Sequence, residues 1–323
     1  MKLPGNCHLS IRDAERRKTL DVLSAKICSL VPVFFARLIF CLAACLCSGC
    51  MTWHPQWPEL QSSSTQATAS VRLEEAELLG HRADSLSGIT ATVAAYQAVL
   101  DADPANFQAL VSLAQLNLLL GDGYAKGITE KKAHFHKALT YAEGAMFTNP
   151  SFREKILMGE PTWEACRVLG DREMEAMLFW VNAVFYSYKE GQWYIGQVIN
   201  YRWIQRARSV MEHMTSINPD WGGGALHFTW GVYFLSIPES IGGDRIKSAA
   251  YFEKAIEIGP DRLLNRWGRA KYYYIKTKNP SGFRKDLEWV LSRDVERSPG
   301  NFAWNVFFAR EARQMLDTMN RNF

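Results

Sequence analysis

The chain has 323 residues, of which 48% are hydrophobic and 12% aromatic, with a formal net charge of +4. That length suits one or two domains, each large enough to bury a core. The charge is uneven: residues 1–49 carry seven basic and three acidic side chains, so the rest carries 30 of each, which argues against nucleic acid as a partner.

Six of the seven cysteines, Cys7, Cys28, Cys41, Cys45, Cys47 and Cys50, lie in the first fifty residues, and only Cys166 follows. The body therefore has no disulfide framework. A basic stretch ending at Arg37 is followed by the run LIFCLAACLCSGC at residues 38–50. The run is shorter than the roughly 20 residues that a spanning helix needs. With Ser48 and Gly49 ahead of Cys50, it fits the apolar region and cleavage site of an export signal. A cysteine behind two small residues is similar to a bacterial lipobox, in which the thiol takes lipid before cleavage. Cys50 is the expected lipid site; Cys45, in LAAC, is the alternative that matches by letter but leaves a shorter apolar run. Several acyl chains anchor stably where one is marginal. Met51 rather than Asp after Cys50 leans towards the outer membrane over the inner.

These features divide the chain into a signal peptide at 1–49, a tether at 50–70 and a helical domain at 71–323. The tether is rich in Pro, Ser, Thr and Gln and has no period; as a coil of some twenty residues it would reach roughly 25 Å. From Val71 on, the apolar pattern is helical and hairpin signals for strands are absent.

Four helices are predicted to stop at Pro104, Pro150, Pro219 and Pro260, with a looser fifth ending at Pro299. Proline past a helix end cannot continue the helix. The prolines are 46, 69, 41 and 39 residues apart, against about 34 for a regular tetratricopeptide (TPR) repeat. The expected fold is all-α: degenerate TPR-like helical hairpins forming a compact α-solenoid or bundle. The segment GDGYAKGITEKK after Leu120 is expected to lengthen one turn, and residues 150–219 hold an extra segment. Within it, residues 174–191 are apolar nearly all round, which predicts a central helix packed on several sides.

No nucleophile elbow, H-E-x-x-H, CxxC or phosphate loop occurs, so no catalytic residue, metal ligand or cofactor site is expected and the chain reads as a non-enzyme. His134 and His136 fall on nearly opposite sides of a helix, and Cys166 reads as a buried structural thiol. Trp180, Tyr186, Trp203, Trp221, Trp230, Tyr233 and Tyr251 are spread over helices expected to meet near the centre. They serve either as packing or as the walls of an apolar cavity. Beside them lie the glycine run 222–224 and His227, read as a polar handle or as a core histidine bonded to a carbonyl. Asp244 is placed to cap the helix that follows, and it opposes an anion at the GGD turn.

The stretch NPDWGGGALHF, the GGD turn and the helix YFEKAIE resemble the TatT family, the TPR-like lipoprotein components associated with TRAP transporters, from about Ala91 to Phe323. The residues carrying the resemblance are Trp221, Gly222, Gly223, His227, Gly242, Gly243, Asp244 and Phe252. By residue type, Gly222 and Gly223 suit a tight turn, His227 and Trp221 a cavity wall, and residues 242–244 a rim. With Trp180 and Trp230, these form the candidate cavity or partner surface. The resemblance implies a periplasm-facing accessory of a TRAP system. It would bind the periplasmic solute-binding protein, carry a hydrophobic or amphipathic small molecule, and self-associate as a homo-oligomer, with a trimer expected. The alternative is a TPR scaffold lipoprotein for cell-envelope assembly.

Overall fold

The computed structural model describes residues 66–190, 194–321 and 323. The expected signal peptide, Cys45, Cys50 and the tether up to residue 65 lie outside the described residues. The first described helix begins at Gln66, five residues before the domain boundary expected at Val71.

Among the described residues, thirteen α-helices and no strand occur. They run as hairpins closed by short loops, which set successive helices side by side. Helix α1 (Gln66–Gly80) packs on α2 (Leu86–Ala102), and α3 (Phe107–Gly123) on α4 (Ile128–Phe147). After the short α5 (Pro150–Leu157) and α6 (Thr162–Ala165), α7 (Met174–Glu190) packs on α8 (Tyr194–Ile217). Then α9 (Ala225–Ser236) pairs with α10 (Arg245–Ile258). Helix α11 (Leu263–Gly268) leads to α12 (Pro280–Leu291), which pairs with α13 (Phe302–Asp317).

Helix starts follow local chemistry. Ser85, Asn106, Asn149, Asp244, Asn279 and Asn301 each accept a hydrogen bond from a first-turn amide. Pro150 both ends one helix and opens the next at its first position, where its missing N–H costs nothing. The other stops match: α2 ends at Ala102, α8 at Ile217 and α10 at Ile258.

Two expectations need correction. The helix expected to run towards Pro299 ends at Leu291, where Ser292 caps it. The turn after Leu120 is not long: α3 continues through Gly123, and only residues 124–127 connect it to α4. Gly121 and Gly123 lie within the helix, and the Phe135 and Phe307 rings pack where a Cβ would stand, so close packing rather than a turn accounts for these glycines. Tertiary packing overrides a locally loop-like composition there.

Helix α7 is central, as its pattern predicts. Met174, Met177, Trp180, Val181 and Val184 are fully buried, and α3, α4 and α8 surround it. A second core joins α1–α3 to α11–α13 through Leu113, Trp267, Phe283 and Phe307.

The chain departs from α-helical geometry at Arg269–Tyr274, a π-helical turn continuing α11. Such turns are rare and often accompany functional sites. This one seats Arg269 and Lys271 on carboxylates. Arg269 donates to both oxygens of buried Asp286, Nε to Oδ2 at 2.7 Å and Nη2 to Oδ1 at 2.8 Å. Lys271 Nζ meets Glu311 at 2.8 Å and Asp122 at 4.0 Å.

Candidate functional site

A partly open cavity of about 1210 Å³ lies between the helices. That exceeds the ~300–1,000 Å³ of typical small-molecule sites. Its wall is assembled from α3, α7, α8, α9, α11 and α13. Helix α7 gives Glu175, Phe179, Asn182, Tyr186 and Lys189, a spacing of three and four that puts them on one face. Helix α9 gives Ala225, Phe228, Thr229, Val232 and Tyr233 in the same way. Trp267, Trp304 and Phe308 close the far side.

The triple-glycine turn sets one edge. Gly222, Gly223 and Gly224 have φ of +70°, +59° and +86°, a left-handed run that suits glycine. The turn also lies against its neighbours: a Cβ on Gly224 would meet the Ala255 carbonyl, and one on Gly223 would meet Arg262. Buried Asn265 ties the knot, its Nδ2 donating to the carbonyls of Ala255, Gly259 and Gly223 at 2.7, 2.9 and 3.2 Å. The turn, the end of α10 and the start of α11 are thereby one unit, and Arg262 sits within it.

Among the described residues, the cavity wall carries three charged side chains, Glu175, Lys189 and Arg262. Lys189 is about half exposed and lies 3.8 Å from Glu190. Among the described residues, Glu175 and Arg262 make no ion pair or side-chain hydrogen bond; they feel each other only at longer range. Burial pushes the Glu175 carboxyl up, and Arg262 partly offsets this. Burial likewise pulls the Arg262 guanidinium down against the opposing effect of Glu175. On the same wall, Tyr186 donates to Asp122 at 3.3 Å. Burial raises the neighbouring Tyr272 phenol to about 12, with Lys271 acting against that rise and Asp122 and Glu311 adding to it.

Of the residues singled out in the sequence, Trp221 and Gly222 line this cavity. Gly223 lies behind it, against Arg262 and Asn265. His227 is not on the cavity wall: its Nε2 bonds the Asp220 carboxylate at 2.8 Å, and its Nδ1 is buried with no hydrogen-bond partner among the described residues. Trp230 lies in an aromatic stack, 5.7 Å from Phe234 and 6.0 Å from Tyr251, with its Nε1 donating to Thr215. Trp180 and Phe252 are fully buried away from the cavity. Gly242, Gly243 and Asp244 hold the loop after α9 without lining the cavity themselves, while Pro238, Ser240 and Ile241 of that loop do line it. The loop closes through Gly243 N–H to Pro238 O and Tyr201 Oη to Ile241 O. Asp244 caps α10 with bonds from Ile246 and Lys247 N–H at 3.0 and 2.9 Å.

Tyr186 and Tyr233 also line the cavity, whereas Trp203 and Tyr251 do not. Sequence reasoning missed Glu175 and Arg262. For Glu175 a signal existed: on the largely apolar α7, Glu175, Asn182 and Lys189 recur every seven residues on one face. Nothing local marks Arg262.

The other sites hold what the residue types suggest. Cys166 is fully buried, with its Sγ 3.7 Å from Met146 Sδ. Burial pushes its thiol well above the ordinary range, with Glu143 adding to the effect. His134 bonds Asn117 while His136 is exposed. Among the described residues, no group of three or more His, Cys, Asp or Glu could hold a metal, and no helix is long and apolar enough to cross a membrane.

No curated protein matches the chain. Among solved structures, a thermophilic TPR protein from Thermus thermophilus is similar at 16% identity and a TM-score of 0.47, covering 78% of this chain and all of that one. The family described as the TRAP transporter T-component matches residues 87–323, which is most of the chain, and the chain belongs to that family.

Proposed function

We propose that this protein is a lipid-anchored, periplasm-facing accessory of a TRAP-type transport system, which binds the system's solute-binding protein and holds an apolar or amphipathic organic ligand. The observation that carries this reading is a family match over 87–323 together with a cavity of about 1210 Å³ inside the matched region. The aromatic and aliphatic wall supports an apolar ligand, and the few polar groups on it supply orientation. The anchor is Cys50, with Cys45 as the alternative, and the mature protein self-associates, with a trimer expected. The reaction chemistry is left to no residue here: the role is binding and transfer, without catalysis.

The test is capture. Full-length tagged protein is solubilised from membranes and mixed with the solute-binding protein encoded beside it. A stable complex on size exclusion is the expected result. Failure to capture any such neighbour counts against the transport role. In the same preparation, Cys50→Ala should lose acyl labelling and leave the membrane fraction; labelling that persists moves the anchor to Cys45.

A further inference from the structure

Helix α9 begins without the side-chain cap that opens α2, α3, α5, α10, α12 and α13: its first turn follows Gly224, which has no side chain to accept a bond. The glycine turn before it is loosely held by its own backbone. Trp221 N–H to Asn218 O and Ala225 N–H to Gly222 O are both 3.3 Å, longer than the usual range. Three successive glycines also have the most backbone freedom to lose. On its inner side the turn is tied through Gly223 O to Asn265. On its outer side His227 reaches back seven residues, and its Nε2 donates to Asp220 Oδ1 at 2.8 Å. The two ends of that bond differ. The Asp220 side chain is 52% exposed, whereas that of His227 is 11% exposed. The imidazole stands 5.9 Å from the ring of Tyr251 on α10, and Tyr251 stacks on Trp230 and Phe234 of α9. The histidine end is therefore packed between two helices, and the end it holds belongs to the turn.

We propose that the Asp220–His227 pair is a clip that sets Trp221 on the cavity wall, and that His227 is a positioning residue of the site although it does not line it. Trp221 and Gly222, which do line the cavity, lie between the two clipped residues in the chain. With His227 closing the span from outside and Asn265 holding Gly223 from inside, the turn has little freedom left. A carboxylate only accepts, so Nε2 carries the hydrogen. The buried Nδ1, with no hydrogen-bond partner among the described residues, is then a lone pair. Position 227 thus needs a donor at this reach on a flat apolar body. A phenyl ring supplies the body without the donor, and a glutamine amide supplies the donor. Lys254 of α10 also feels the charge of Asp220, but its ammonium bonds Glu257 at 2.8 Å and leaves Asp220 to the histidine. The clip goes beyond the transport reading and holds whatever the cavity contains.

Hydrogen–deuterium exchange of the full-length protein in lipid nanodiscs, read by mass spectrometry, tests the clip. In Asp220→Ala and in His227→Phe, peptides covering residues 219–228 should exchange about tenfold faster, the scale of one charge-assisted hydrogen bond. Peptides from the rest of α9 and from α10 should keep their rates, because the opening is local. Hydroxyl-radical oxidation of the same samples should rise at Trp221 and stay level at Trp180, which is fully buried away from the cavity. His227→Gln should restore most of the protection that His227→Phe loses, a rescue that general destabilisation would not give. The combined Asp220→Ala and His227→Phe variant should exchange no faster than either alone, since both remove the same bond. Unaltered exchange across the turn in both single variants overturns the proposal. So does an acceleration spread evenly through α9 and α10, or a glutamine variant no better protected than the phenylalanine one. None of these outcomes bears on capture of the solute-binding protein, so the transport role is tested separately.

Discussion

Two parts of this molecule remove charge from water and treat it in opposite ways. In the π-helical turn and the helices against it, every inner cation has a carboxylate. Arg269 makes a bidentate pair with Asp286, and Lys271 sits between Glu311 and Asp122. At the cavity pole, Arg262 and Glu175 are near enough to influence each other and yet form no ion pair. The same desolvation acts in both places. In the first it is offset within the protein, so the charges specify how α11, α12 and α13 pack. In the second the two charges offset each other only in part and at longer range, so neither fixes the packing of its neighbours. Buried charge by itself therefore says little about function here; whether its partner is built in says more.

The comparison is broken most directly by removing a built-in partner. Asp286 is 1% exposed and accepts from both Arg269 and Arg266. Burial alone would lower the Arg269 pKa, but the bonds and charge of Asp286 hold it above its ordinary value. Asp286→Ala leaves the guanidinium buried without its main anion, and a loss of about 3–5 kcal/mol is expected. Urea denaturation followed by circular dichroism measures it. A loss below about 1 kcal/mol would mean that the pair contributes no more than an exposed one, and the distinction between the two regions would fail.

A smaller effect is expected at Lys271. Its Nζ bonds Glu311 at 2.8 Å and lies 4.6 Å from the centre of the Trp267 ring. Burial pulls its pKa down, but Tyr272, Asp122 and Glu311 outweigh burial and raise it. Lys271→Met keeps the volume and removes the charge, leaving two carboxylates facing each other. The expected cost is about 1–3 kcal/mol, read in the same denaturation assay. A neutral result would make the Tyr186–Asp122 side of the cavity independent of the π turn and sharpen the boundary between the two regions.

How much of this was legible in the sequence depends on how local the cause is. Helix stops at Pro104, Pro219 and Pro260, and the cap at Asp244, were readable because proline and capping side chains act within one turn. The central placement of α7 followed from its apolar circumference. The glycines at 121 and 123 misled because they make room for the rings of Phe135 and Phe307, one of them far along the chain, instead of forming a turn. The π turn RAKYYY has no local signature. At the site, Trp221 and the glycine turn were visible by residue type. His227 attracted attention for the same reason, yet it turns to Asp220. Glu175 and Arg262 stand 87 positions apart and meet only through the packing of α7 against the start of α11. No spacing rule reaches that far.

Glu175 provides the smallest effect and the opposite sign. Its folded-state pKa is raised by burial, with Arg262 opposing the rise. The fold therefore binds the carboxyl proton more tightly than the unfolded chain does. The corresponding stabilisation is complete below the unfolded pKa and is lost as the pH rises through the higher folded value. To the extent that the carboxyl is ionised it is a liability that Arg262 relieves only in part. Glu175→Gln keeps the shape and removes the ionisation. The variant should melt about 2 °C higher than the unaltered protein at pH 7. The gap should close as the pH falls below the ordinary glutamate range, where both side chains are neutral. A variant that melts lower at pH 7 would show that Glu175 is held by Arg262 as tightly as Asp286 is by Arg269. The cavity pole would then be a built-in pair like the others.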